Sequence, residues 1–193
     1  MSWFKKIHIL GNGPSIKDFP LDIDGIRIGT NFSDAKLKPI HTFINDGKPL
    51  DMILSGEVSL EYPIVISKRA VEKSELYEKK PKYDNTIIKF IVDFIKYDHL
   101  HERLGLNSAQ MATVYGIKQF LPKEVHIWGC DSLWSDDISS STDTYIPSKG
   151  CNNSINELWR NQWDYLISQN PERTFFIHGK GTPLLQSQSN VRW

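Results

Sequence analysis

The sequence has little cysteine, no excess of charge of either sign and no long hydrophobic run. Its 193 residues contain only two cysteines, Cys130 and Cys151, and neither belongs to a CxxC pair. This usage argues against a disulfide framework and a structural zinc site. Basic and acidic residues balance at 23 each, so no nucleic-acid-binding patch is indicated. No stretch approaches the ~20 apolar residues of a membrane span.

The amino terminus, residues 1–6, also lacks the apolar run of a signal peptide, so we expect a cytoplasmic protein. Hydrophobic residues make up 39% of the chain and charged residues 24%, which is typical of a folded protein. The length suits one domain with a substantial core. We therefore predict a single domain over 1–193, with a variable insert at about 68–104 and a long loop at 132–153.

Short apolar segments alternate with helical patterns along the chain. Asn107 and Gln110 form a capping box that opens the clearest helix, and Pro122 stops it. A second capping box at Ser154 opens a helix whose inward face includes Leu158, and residues 181–192 read as a peripheral tail. The fold class is therefore α/β, a single Rossmann-like domain with a mostly parallel sheet flanked by helices. Strands are predicted at 6–10, 25–31, 41–47, 62–67, 124–131 and 173–179.

The first predicted strand runs directly into Gly11-Asn12-Gly13-Pro14-Ser15. Glycine lets a ligand approach the backbone, Pro14 suits a first helical turn and Ser15 can cap. A strand that ends in this way leaves free amides at a helix start, where phosphate binds. The third glycine of the GxGxxG dinucleotide fingerprint is missing, because Ile16 stands there. A plain tight turn is the alternative.

Polar residues follow most of the predicted strands. Ligands of parallel sheets bind beyond the carboxyl ends of the strands, so we expect these side chains to gather in one site. Two carboxylates among them, Asp46 and Asp131, suit Mg²⁺. His8 and His126 lie inside strands, and we interpret both as packed residues of the sheet. The gathered residues are Asn12, Asn31, Asn45, Asp46, Asp131 and His178, with Ser108 from the main helix.

Several of these segments together resemble a known family. Over roughly residues 6–50 and 105–170 the chain is similar to the bacterial sialyltransferases of the Campylobacter type, glycosyltransferase family 42. It is also similar to pterin-pyrophosphokinase-like proteins that share a Rossmann-type core. The segments that carry the resemblance are Gly11–Ser15, Asn31, Asn45, Asn107-Ser108-Ala109 and Trp128-Gly129-Cys130-Asp131.

The resemblance implies a nucleotide-sugar site. It assigns the opening turn and Asn12 to the nucleotide, and Asn31 and Asn45 to ribose, phosphate or sugar. It assigns Ser108 to the carboxylate or phosphate of the donor, and we expect Asp131 to orient the nucleoside. Enzymes of the family stabilise the departing phosphate through tyrosines and need no metal.

The chain departs from the family pattern at two places. After Gly-x-Asp the family carries a tyrosine, whereas here Trp134 is expected to stack on a ring and Tyr145 to take the second tyrosine role. The catalytic histidine of the family has no counterpart near Lys149, which suits a phosphate instead. We expect Asp46 or His178 to take up the proton.

Three functions stay open from the sequence. The first is a metal-independent glycosyltransferase that uses a nucleotide-sugar donor. The second is a pyrophosphokinase-like enzyme with Mg²⁺ at Asp46 and Asp131, and the third is a non-catalytic protein that sequesters a nucleotide. The partner in each is a nucleotide or nucleotide-sugar, and a homo-oligomer is left open.

Overall fold

The computed structural model describes residues 5–77, 88–92, 106–135, 153–185 and 187–193. These residues form one sheet in which every strand pairing is parallel. Seven strands have four or five residues, and the last has two. They are β1 (Lys6–Leu10), β2 (Ile26–Thr30), β3 (His41–Ile44), β4 (Ile64–Ser67), β5 (Ile88–Val92), β6 (Glu124–Trp128), β7 (Thr174–Ile177) and β8 (Val191–Arg192).

The strand order β5-β4-β3-β2-β1-β6-β7-β8 places the first strand inside the sheet. From β1 the chain adds β2 to β5 on one side, and then returns to add β6, β7 and β8 on the other. The direction of growth therefore reverses between β1 and β6, where Leu10 pairs with Trp128. In open α/β sheets this reversal is where a crevice opens beyond the carboxyl ends. The predicted α/β domain with a parallel sheet flanked by helices is confirmed.

The described helices are α1 (Gly47–Ser55), α2 (Lys68–Lys73), α3 (Ser108–Phe120) and α4 (Asn153–Ser168). Helix α3 lies close to one face of the sheet. A Cβ at its Gly116 would lie 2.8 Å from Ile7 Cδ1 and 2.9 Å from Ile28 Cδ1, so a side chain there would push the helix away. On the same face Trp163 of α4 is fully buried in the cluster that contains Phe175.

The opposite face is covered by different segments along its width. At β3 and β4 it is covered by α1, whose Leu50 shares a buried cluster with Ile44. At β1 and β6 it is covered by the 3₁₀ helix Pro14–Asp18 and the residue after it, Phe19. The ring of Phe19 meets the ring of Trp128 edge-on, with centroids 5.2 Å apart. This second segment places the turn after β1 beside the end of β6.

Most of the predicted elements are confirmed, and local signals explain their bounds. The Asn107–Gln110 capping box is present at the start of α3, which ends at Phe120 before Pro122. The prediction missed α1, because the apparent Asn45-Asp46-Gly47 turn is a helix start with Asp46 at the N-cap position. The predicted insert 68–104 supplies α2 and the edge strand β5.

Two predictions near the carboxyl terminus are wrong. Residues 181–192 are not a peripheral tail, since Val191 is buried in β8 and Phe175 N–H donates to Asn190 O at 2.8 Å. Leu158 does not face the core and is 41% exposed. The side chain of Ser154 and most of the predicted loop 132–153 lie outside the described residues.

Candidate functional site at the carboxyl ends of the strands

The glycine-rich turn after β1 is bonded to the turn after β6. The Gly11 amide donates to Trp128 O and the Gly13 amide donates to Gly129 O, both at 2.8 Å. The Ser15 amide donates to Asp131 Oδ2 at 3.2 Å. The expectation that these three amides are free for a phosphate is therefore wrong. Asn12 lies half-buried between the two bonded glycines.

The glycines are required by this close approach of two backbones. A Cβ at Gly11 would lie 2.5 Å from Gly129 O, and a Cβ at Gly13 would lie 2.7 Å from the same oxygen. Gly129 has a φ of +64°, a conformation that favours glycine, and its own Cβ would lie 2.6 Å from Gly11 O. Pro14 begins the 3₁₀ helix as predicted, but its N-cap is Gly13 and not Ser15. The glycine-rich motif therefore lets the turn after β1 pack directly against the turn after β6.

A second polar group lies where β2 and β3 end. Ser108, at the first position of α3, donates from Oγ to Asn31 Oδ1 at 3.3 Å. Asn45 Nδ2 donates to Leu106 O, just before α3, at 3.0 Å. Asn31 adopts the left-handed conformation with a φ of 48°, which turns the chain directly after β2. Asn31, Asn45 and Ser108 therefore meet at the start of α3, which is one part of the larger gathering of polar residues that the sequence predicts.

The two candidate metal carboxylates lie apart. Asp46 follows β3 and Asp131 follows β6, and three strand spacings, about 14 Å, separate these strands. Asp46 lies 3.7 Å from Arg69, and Asp131 accepts from Ser15. Across the described ranges, no group of three His, Cys, Asp or Glu residues is arranged to hold a metal ion. The arrangement therefore does not favour a shared Mg²⁺ site.

The candidate bases Asp46 and His178 also cannot serve one site. The strands that precede them, β3 and β7, are four spacings apart, about 19 Å. His178 lies directly after β7, where its amide extends the parallel ladder by donating to Ile127 O at 2.9 Å. It lines a cleft of about 230 Å³ beyond the carboxyl ends of β6 and β7. The other lining residues are Ser15, Asp18, Trp128, Ile177, Gly179, Lys180 and Trp193.

The cleft combines a cation, an aromatic surface and a hydroxyl group. Lys180 Nζ lies 2.8 Å from Asp18 Oδ2 at its edge, and both side chains are more than half exposed. Trp193 is 50% exposed, so its ring offers free surface. The Ser15 hydroxyl is buried and has no hydrogen-bond partner among the described residues. These groups suit a polar ligand with a ring and an anionic part.

His178 is held neutral beside this cleft. Its ring stacks on Trp128, with centroids 3.6 Å apart and an interplanar angle of 8°. Burial, with smaller contributions from the charges of His126 and His8, lowers the pKa of His178 to about 4. Near pH 7 the imidazole is therefore uncharged and carries a lone pair.

Trp134 forms part of the wall behind the cleft. A Cβ at Gly179 would overlap its indole nitrogen, so glycine is required there. The rings of Trp134 and Trp193 meet edge-on, with centroids 5.4 Å apart. Trp134 therefore supports Trp193. Tyr145 and Lys149, the remaining candidates, lie outside the described residues.

Sequence reasoning missed Asp18, Lys180 and Trp193. Lys180 directly precedes the predicted peripheral tail, residues 181–192, and Trp193 directly follows it. Only the pairing of β8 with β7 brings Trp193 to the cleft. No local pattern around Asp18 or Lys180 indicates a site. Their role depends on contacts between segments that are distant in the chain.

No protein-family model, curated protein or solved structure matches the chain. The resemblance to sialyltransferases therefore stays a prediction. Among the described residues there is no helix with the length and hydropathy needed to cross a bilayer. Fold and site together define an α/β protein of the Rossmann-like class with a cleft beside the reversal point of its sheet.

Proposed function

We propose that this protein binds a nucleotide-sugar along the carboxyl edge of the sheet and transfers the sugar to an acceptor. The observation that carries the proposal is the cleft beside the β1/β6 reversal, with its ring surface, its cation and its neutral histidine. Sites for drug-sized ligands typically measure about 300–1,000 Å³. A cleft of about 230 Å³ suits one ring of a larger ligand, whose remainder lies along the open edge.

The sugar is the part that fits the cleft. Trp193 offers an apolar face to a sugar ring, and the unpartnered Ser15 hydroxyl and the Asp18 carboxylate offer hydrogen bonds to its hydroxyl groups. Lys180 provides a positive charge for the adjoining phosphate. A phosphate that binds Lys180 replaces Asp18 as the partner of the ammonium group.

The nucleoside is then directed towards Asn31 and Ser108. From β7 to β2 there are three strand spacings, about 14 Å, a distance that a phosphate linkage and a nucleoside together can cover. Amide and hydroxyl groups at that end supply both donors and acceptors, as ribose and base require. The occupied amides of the β1 turn play no part in this arrangement.

The chemical step uses His178 as the proton acceptor. The bond between the anomeric carbon and the phosphate oxygen breaks, and the nucleotide leaves with the bonding electrons. The acceptor oxygen bonds to the anomeric carbon, and its proton passes to the neutral imidazole. No described group of residues favours a metal ion in this step.

A panel of purine and pyrimidine nucleotide-sugars, screened by thermal shift, tests the binding. A ligand raises the melting temperature according to its affinity, and Trp193→Leu should reduce that rise. Tyr165→Leu is the matched control, because Tyr165 is also an exposed aromatic residue, on α4 and outside the cleft. Ser108→Ala should also reduce the rise. Equal rises in all variants would contradict the proposed site.

Donor turnover is then measured for each ligand that binds. We expect release of the free nucleotide in the presence of EDTA. Binding without any product over several hours would contradict transfer and support a protein that only sequesters its ligand. Activity that EDTA abolishes would support the magnesium-dependent alternative instead.

A further inference from the structure

We propose that Glu124, His126 and His178 form a hydrogen-bond chain that fixes the tautomer of His178 and carries a proton from the cleft to the surface. The fixed tautomer is a property of the folded chain and does not depend on the identity of any ligand. Its catalytic consequence rests on the proposed function.

The parallel sheet places the three residues on one face. Side chains two apart on a strand share a face, so Glu124 and His126 lie on the same side of β6. His178 continues the same side of β7, because His126 pairs in register with Phe176. His126 Nδ1 lies 3.0 Å from His178 Nε2, and His126 Nε2 lies 3.4 Å from Glu124 Oε2. The imidazoles are nearly coplanar, at 8°, with centroids 5.3 Å apart, so they meet edge to edge.

The chemistry of the partners determines which nitrogen carries each proton. An ionised carboxylate only accepts, so His126 Nε2 must carry a hydrogen and donate it to Glu124. The Nδ1 of a neutral His126 is then an acceptor, so the Nε2 of His178 must be the donor. A neutral His178 is left with its lone pair on Nδ1, which has no hydrogen-bond partner among the described residues. Burial lowers the pKa values of both histidines, which supports the neutral forms.

The same argument assigns the tautomer of a neighbouring histidine, His8. His8 Nε2 lies 2.8 Å from the Asp24 carbonyl, which only accepts, so that nitrogen carries the hydrogen. His8 Nδ1 must therefore accept, and the indole N–H of Trp128, which only donates, lies 3.3 Å from it. In both hydrogen-bond chains every donor therefore faces an acceptor. Trp128 joins them, since it also stacks on His178.

Two stacked rings hold the chain in its plane. Trp128 lies against His178, and Phe176 lies against His126 with centroids 4.5 Å apart at 6°. The other groups that face the chain are charged or titratable. His8 lies 4.8 Å from His126 between ring centroids, and Lys6 Nζ lies 3.9 Å from Glu124 Oε2 and 3.7 Å from Asp24 Oδ1.

A proton accepted by His178 Nδ1 can leave through this chain without a net charge on either ring, but the transfer moves the hydrogen of each ring from Nε2 to Nδ1. The starting tautomers return when Glu124 takes up a proton from water and the transfers run in reverse, which releases the hydrogen on His178 Nδ1 into the emptied cleft. His178 passes the hydrogen on Nε2 to His126 Nδ1, and His126 passes the hydrogen on its Nε2 to Glu124. The side chain of Glu124 is 35% exposed, so the carboxyl group can release the proton to water. His126 and Glu124 thus act through His178 as positioning residues.

The tautomers are tested by ¹⁵N NMR of histidine-labelled protein without ligand. We expect His178 to carry its hydrogen on Nε2 and His126 to carry its hydrogen on Nε2. Glu124→Ala removes the acceptor at the end of the chain and should give mixed tautomers at both histidines. Glu124→Gln should restore the wild-type pattern, because its side-chain oxygen still accepts. Ile127→Val, on the opposite face of β6, controls for packing and should leave the tautomers unchanged.

The proton transfer is tested by the kinetics of the same variants. Glu124→Gln keeps the tautomer but takes up no proton, so kcat should fall about 10-fold while KM stays the same. Wild-type kcat in Glu124→Gln would refute the relay, and Nδ1–H on His178 in the wild type would refute the chain itself. A protein with the expected tautomers that binds no nucleotide-sugar would overturn the proposed function and leave the tautomer assignment standing.

Discussion

Replacing Gly11 by alanine separates two explanations of the glycine-rich turn. If the glycine serves ligand approach, the unliganded protein should tolerate a methyl group. The structure instead predicts a loss of stability, because the added Cβ would lie 2.5 Å from Gly129 O and 3.0 Å from Trp128 O. Both are backbone atoms, which cannot rotate away as the end of a side chain can.

The magnitude follows from the contacts that must shift. Forcing a methyl group into a packed region costs about 1–3 kcal/mol. Moving the β6 turn also weakens the bonds from Gly11 N–H to Trp128 O and from Gly13 N–H to Gly129 O, each worth about 1 kcal/mol. We therefore expect the free energy of unfolding to fall by about 2–4 kcal/mol. For a chain of this size the melting temperature should fall by roughly 5–15 °C.

Urea denaturation followed by circular dichroism measures this loss. The control is Gly56→Ala, where a Cβ meets nothing within 4 Å but the φ of +80° costs an alanine about 1–2 kcal/mol. A Gly11→Ala protein within about 0.5 kcal/mol of the wild type would refute the packing explanation. The glycine would then be free for a role in binding.

Three further predictions follow from the same contacts. Val191→Ala should lower the free energy of unfolding by about 1–3 kcal/mol in urea titrations, because β8 belongs to the core. In calorimetric titrations with a nucleotide-sugar, Lys180→Gln should weaken binding a few-fold. Asp18→Asn should strengthen it, because the ammonium group is freed while the amide oxygen still accepts from the sugar. The pKa values of His8 and His178 are lowered to about 4, so the unfolded chain takes up their protons first. Stability measured in urea should therefore fall from pH 6.5 towards 4, by up to about 1.4 kcal/mol per pH unit for each histidine.

Much of the fold was predictable because its signals are local. Short apolar runs bounded by glycine and polar residues mark the strands, and the Asn107–Gln110 box marks the start of α3. Part of the site was predictable too. Residues that follow parallel strands meet at one edge, and Asn31 does contact Ser108, 77 positions further along the chain.

The sequence alone could not predict that Asp46 and His178 lie far apart. Both follow strands, so the sequence alone gives no reason to separate them. The strand order separates them, because β2 to β5 are added on one side of β1 and β6 to β8 on the other. A pattern along the chain carries no information about the side on which a strand is added.

Residue order alone therefore determined six of the eight described strands, the parallel sheet and the edge where polar side chains collect. Tertiary structure alone decided that the glycine turn is closed by the Gly129 turn, that β8 brings Trp193 to the cleft, and that His126 meets His178. The reason is physical. Strand formation depends on neighbours in the chain, whereas hydrogen-bond partners depend on the register between strands that lie far apart in it.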